Sequence, residues 1–132
     1  MAITYRIDSG ERIVYITTTG ESNFAEWRET MLTAISDPAY RQGFNFLSDR
    51  SGETDVPDPE FTRAASQFIQ QHRDEFEGVK WAAVSSNAAV YGAQRLFIAL
   101  SAATGITVQA FREYEPARQW LLGMNAEHHP PH

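Results

Sequence analysis

The sequence predicts an α/β fold: a mixed, mostly parallel five-stranded sheet with four helices, in the order ββαβαβαβα. Three observations lead there. Two β-rich runs flank Ser9-Gly10 and read as an opening hairpin. Short apolar runs then alternate with helical patterns, the signature of parallel strands joined by crossover helices. Gly78, Gly105 and Gly123 each stand where a helical pattern ends.

The elements follow in order. Ile3 to Asp8 alternates and forms the first strand, and Arg12 to Thr19, rich in β-branched residues, forms the second. Ser22-Asn23 caps a helix running to about Ser36, with Phe24, Trp27, Met31 and Ile35 as its core stripe. Asp37-Pro38 stops it, because proline disfavours a helical residue before it. Phe44 to Ser48 reads as a buried central strand, and Asp49 to Pro57 as a loop. Asp58-Pro59-Glu60 supplies an N-cap acceptor, a proline at the first position and an acid in the first turn. The helix it starts runs to about Phe76 and buries Phe61, Ala65, Phe68 and Phe76.

Val79 to Val84 is the fourth strand, and a helical pattern covers Ala88 to Thr104. On a helical wheel this helix has two apolar stripes. Ala89, Ala93, Leu96, Leu100 and Ala103 make one; Tyr91, Ile98 and Ala102, beside Arg95, make the other. A helix lying on a sheet needs one stripe, so the second seeks cover, either from this chain's own terminal helix or from another molecule. Ile106 to Phe111 is the last strand, and the last helix starts near Pro116 and ends before Gly123. Residues 1–123 form a single domain. Residues 124–132, polar and Pro-rich, are expected to be a flexible tail.

A chain of 132 residues has room for one sizeable core, and 42% hydrophobic with 21% charged residues is ordinary globular composition. The formal net charge of −6 opposes non-specific nucleic-acid binding. The absence of cysteine removes disulfides, thiolate catalysis and cysteine metal sites. Neither a signal-peptide pattern nor a membrane-spanning stretch is evident, so the expected compartment is the cytoplasm. No cofactor is expected.

The element order resembles that of the STAS-like family, the relatives of bacterial anti-sigma-factor antagonists, and is most similar to the SpoIIAA-like branch often grouped with lipid-binding Sec14-like domains. The resemblance covers about Ile3 to Gly123. It rests also on Phe24-Ala25-Glu26-Trp27 after the hairpin, and on Val108-Gln109-Ala110-Phe111 followed by Glu115-Pro116-Ala117-Arg118-Gln119-Trp120-Leu121. It implies a non-catalytic regulatory or protein-interaction module, with a homodimer and a regulatory protein as partners. Phosphorylatable members carry an Asp-Ser-Ser-Gly-like turn directly before a helix. Ser51 in Asp49-Arg50-Ser51-Gly52 is the corresponding phosphorylation candidate, but the chain departs from the pattern: five more residues precede Asp58, so the serine sits in a longer acidic loop and does not open the helix.

Several residues carry chemistry. Ser85-Ser86-Asn87, where a strand meets a helix, either binds an anion at the positive end of the helix or simply caps that helix. With Trp81 and Tyr91 nearby, the same place would suit an anionic or lipid-like small molecule, the alternative function being a small carrier or sensor. Tyr91, Arg95, Ile98 and Ala102 form the candidate interface. Asp49, Glu53, Asp55, Asp58 and Glu60 either approach a hard cation or line a solvated loop; no calcium-loop spacing is present. His72 is either a general base or a packed, hydrogen-bonded histidine. His128, His129 and His132 belong to the tail.

Overall fold

The computed structural model describes residues 2–21, 23–53 and 59–123. The expected tail with His128, His129 and His132 lies outside the described residues, as do Asp55, Asp58 and the side chain of Tyr91. The architecture is α/β, with strands β1 (Ile3–Asp8), β2 (Ile13–Gly20), β3 (Asn45–Glu53), β4 (Lys80–Val84) and β5 (Thr107–Phe111). The helices are α1 (Phe24–Ile35), α2 (Pro59–Gln71), α3 (Arg73–Phe76), α4 (Ala88–Leu100) and α5 (Tyr114–Leu121). The sheet order is β1-β2-β3-β4-β5, with β1 antiparallel to β2 and the other pairs parallel.

Local chemistry explains the boundaries. The Arg12 N–H donates to the Asp8 carbonyl at 2.8 Å, closing the opening hairpin, and Arg12 takes φ 61 to do so. The Asn23 side chain accepts from the Glu26 N–H at 2.8 Å, the expected cap of α1. Pro59 occupies the first position of α2.

Three expectations are corrected. The loop expected from Asp49 begins as strand: β3 continues to Glu53, pairing with β2 through a bulge between Thr17 and Thr19. Gly52 suits that close approach, since a Cβ there would lie 3.0 Å from Thr19 Cγ2. The single helix expected to Phe76 is two, giving five helices where four were expected. His72 (φ −112, ψ 38) breaks the run, and α3 re-aims the chain so that Phe76 enters the core. The long helix ends at Leu100, and a 3₁₀ turn spans Ser101–Ala103.

The sheet divides two cores. On one face Val14, Ile16, Phe46, Trp81 and Ala83 pack with residues of α1, α2, α3 and α4. On the other face Ile13, Tyr15, Leu47, Ala82 and Val84 pack with Ala117 and Leu121 of α5. The terminal helix therefore takes the face opposite α4 and is not the cover expected for α4's second stripe. Among the described residues no helix is long and apolar enough to cross a membrane.

A polar-tipped pocket at the carboxyl ends of β3 and β4, the candidate functional site

Register sets the floor of the site. Phe46 of β3 pairs with Trp81 of β4, and two residues on Ser48 pairs with Ala83. Side chains alternate across a strand, so both pairs face the helical layer. The first pair is large and stacks, with ring centroids 5.0 Å apart. The second pair is small and leaves space beneath α2 and α4. A cavity of about 30 Å³ results, or about 440 Å³ when all the non-atom space and the solvent at its opening are included.

The walls are aromatic: Trp27 from α1, Phe61 from α2, Trp81 from β4 and Phe97 from α4. Phe97 meets Trp81 edge-on at 5.6 Å, and Trp27 meets Phe61 edge-on at 6.3 Å. Polar groups enter from three elements. Ser48 and Arg50 come from β3, Thr62 from α2 and Gln94 from α4. Arg50 reaches Glu53 through two parallel bonds, Nε to Oε1 at 2.8 Å and Nη2 to Oε2 at 3.0 Å. Its guanidinium also lies 5.1 Å from the centroid of Phe61. Glu53 is 5% exposed and Arg50 is half-buried, so this is a largely buried, charge-balanced, bidentate pair.

Gln94 is the outlier. It is 4% exposed, and neither Oε1 nor Nε2 has a hydrogen-bond partner. Buried polar atoms are overwhelmingly paired in native proteins, and an unpaired one costs about 1–3 kcal/mol. Its position follows from how α4 docks. Val90, Gln94 and Phe97, at i, i+4 and i+7, are the buried line. That line is the seam between the two stripes expected from the wheel, so each stripe flanks the docked face and neither is its centre. Sequence reasoning passed over Gln94 because a lone glutamine in a helix reads as solvent-facing. The signal was there in its spacing, four residues after a valine and three before a phenylalanine.

The expected site residues are placed as follows. Trp81 lines the pocket. Ser85, Ser86 and Asn87 sit at the same end of the sheet but are not among the lining residues. The Ser85 hydroxyl accepts from the Asn87 N–H at 3.1 Å, and Asn87 Oδ1 accepts from the Val90 N–H at 3.4 Å, which are capping contacts at the start of α4. Arg95 and Ala102 are exposed, and Ile98 is half-buried. Ser51 is exposed on the β3 extension, its N–H held by Asp49 Oδ1 at 3.0 Å. His72 stacks on Phe68 at 4.2 Å, and its Nδ1 lies 2.9 Å from the Phe68 carbonyl, which makes Nδ1 the donor. The 13 residues of α2 carry the chain about 20 Å from the end of the sheet bearing Ser51 to the end bearing His72. No nucleophile–base pair is thereby assembled from His72 with Ser51 or Ser85. Among the described residues no cluster of three or more His, Asp or Glu side chains is placed to hold a metal ion.

A second polar cluster lies across the sheet, on the α5 side. The Tyr15 hydroxyl donates to Glu11, and Arg118 of α5 forms an ion pair with Glu11. The Tyr15 hydroxyl and the Arg118 guanidinium hold the Glu11 carboxyl below its usual range. Burial, with the Glu11 bond, raises the Tyr15 phenol. These groups satisfy one another and fasten α5 to the start of β2.

Fold and site together define an α/β domain with one small aromatic-walled pocket tipped by an amide. No family model matches the chain, and no curated protein or solved structure matches it either.

Proposed function

We propose that this chain is a non-catalytic binding domain of the STAS-like kind, which holds a small molecule between α2, α4 and the ends of β3 and β4 and presents the occupied state to a regulatory partner. The observation that carries this reading is Gln94, whose buried amide lacks any partner and faces an aromatic cavity. Apolar walls with a few convergent polar groups are how ligand pockets are built. The polar group of this pocket is Gln94, in the second turn of α4, and not the Ser85-Ser86-Asn87 junction.

Native mass spectrometry of the full chain purified from cells tests it. The expected result is one small molecule per chain, lost in an Ala93→Trp variant that plugs the mouth. Ligand at about 100 times its Kd would add about 2.7 kcal/mol of stability, a clear rise in Tm. A chain that is always bare, with no Tm change across nucleobases, amino-acid derivatives and fatty acids, would end the reading.

A second reading, a contact module that self-associates, draws support from the outer flank of α4. Arg95 and Ala102 are exposed there beside half-buried Ile98. Light scattering at micromolar concentration should then give a dimer that Tyr91→Glu with Ile98→Glu converts to monomer. A wild-type monomer removes that reading and leaves the pocket untouched.

A further inference from the structure

Resting on the pocket reading, the geometry points to the class of ligand: a small, planar, uncharged molecule that presents an amide-type edge, an N–H donor beside a C=O acceptor, to the side chain of Gln94. Three features of the pocket narrow the choice.

Charge comes first. Among the described residues the one ionised side chain lining the cavity is Arg50, and it is engaged bidentately by Glu53 at 2.8 and 3.0 Å. The pair is neutral as a unit. An anion entering here would have to compete with a carboxylate already held in fork geometry, and would be desolvated without a free counter-charge. This disfavours the anionic ligand expected from the start of α4.

Size comes second. The cavity, about 30 Å³, has room for about two waters or for the edge of a ring. An extended acyl chain is far longer than such a space and would lie mostly outside it. This disfavours the lipid-like alternative.

Hydrogen-bonding capacity comes third. A carboxamide offers one acceptor and two donors in one plane. Both heavy atoms of the Gln94 amide are unpaired at 4% exposure. The group that satisfies both at once is another amide-like edge, in a lactam, a primary amide or a nucleobase, making two parallel bonds. Trp81 and Phe97, edge-on at 5.6 Å beside it, supply π faces and edges for a flat ring.

The test uses the full chain and four probes of one ring size: 2-pyridone and benzamide carry the edge, benzoate carries a charge, and toluene carries neither. Binding is read by tryptophan fluorescence, since Trp27 and Trp81 line the cavity, and by NMR shifts of the Gln94 side-chain NH₂. The expected result is that 2-pyridone and benzamide bind at least tenfold more tightly than toluene and benzoate. Gln94→Leu should cost the two amide probes tenfold or more and leave toluene unchanged. Gln94→Met, which keeps the unbranched shape, should do the same and covers the case in which leucine does not fit. Toluene binding as well as 2-pyridone, benzoate binding best, or amide affinity unchanged in both variants would overturn the ligand class while leaving the pocket standing. No binding by any probe, together with a bare chain in native mass spectrometry, would overturn both.

Discussion

Replacing Gln94 with leucine should make the ligand-free protein more stable. The residue is 4% exposed and both of its amide heavy atoms lack partners. Relieving a buried, unsatisfied polar group returns about 1–3 kcal/mol. Leucine is branched where glutamine is not, and imperfect shape matching in a packed interior takes back up to about 1.5 kcal/mol. The balance runs from a loss of about 0.5 to a gain of about 3 kcal/mol, centred on a gain of about 1 kcal/mol. For a domain between the small and medium size classes, each kcal/mol moves Tm by about 3–5 °C, so the central expectation is a rise of about 3–5 °C. Thermal unfolding by circular dichroism and urea titration would read it, with an unchanged m-value showing that the denatured state is not responsible. A variant less stable than wild type by more than about 1 kcal/mol, beyond what shape mismatch takes, would mean that the amide already has its partners in the folded protein. The reason for treating Gln94 as the tip of a site would then be gone.

Other outcomes follow from the same structure. Glu53→Gln removes the counter-charge of a largely buried guanidinium and should cost about 3–5 kcal/mol in urea unfolding, most of it recovered when Arg50→Met is added. Glu11→Gln should destabilise at pH 7 only. The folded-state pKa of Glu11 lies below its usual value, so its contribution is present above the unfolded pKa and is lost as pH falls through the folded one. The stability gap between variant and wild type should therefore narrow as pH falls below the usual carboxylate range and close below the lowered folded-state pKa. Asn23→Ala deletes the acceptor for the Glu26 N–H and should cost about 1 kcal/mol.

What was legible in the sequence was what local chemistry decides alone. The hairpin, Asn23 as cap, Pro59 at the head of α2 and the alternation of strand and helix are all local, and they set the fold class. What was not legible depended on partners distant in sequence. Asp49 to Glu53 is polar and holds Ser-Gly, so it read as loop. It is a strand because β2 offers it a ladder and because Arg50 and Glu53 neutralise each other on burial. The break at His72 is invisible to periodicity, since Phe68, His72 and Phe76 keep helical spacing across it. It becomes intelligible only when Phe76 is seen buried and the Tyr40 hydroxyl is seen donating to the Glu75 carbonyl at 3.0 Å. The two stripes on α4 were correctly apolar and wrongly centred. Packing on both α2 and β5 asks for a wide apolar surface, and the middle of that surface holds the polar residue.

Two separate sacrifices of stability converge on one small volume. At the level of the sheet where Phe46 and Trp81 fill the interior, the next pair on that face is Ser48 and Ala83, and a cavity of about 30 Å³ is left. At about 24 cal/mol per Å³ that void costs under about 1 kcal/mol. Above it stands Gln94, where a hydrocarbon of similar length would avoid a further penalty of about 1–3 kcal/mol. Neither is forced by the fold. Right-handed crossovers bring α2 and α4 to the same face, but they do not require the floor between them to be small or its roof to be an amide. Folding alone would be served better by a larger floor and an apolar roof, and the total stability of a domain is only about 5–15 kcal/mol. Independent defects would be expected at scattered positions. Here they meet within one cavity, with a neutral ion pair at its edge and aromatic rings on its sides, which is the arrangement a bound flat molecule would complete.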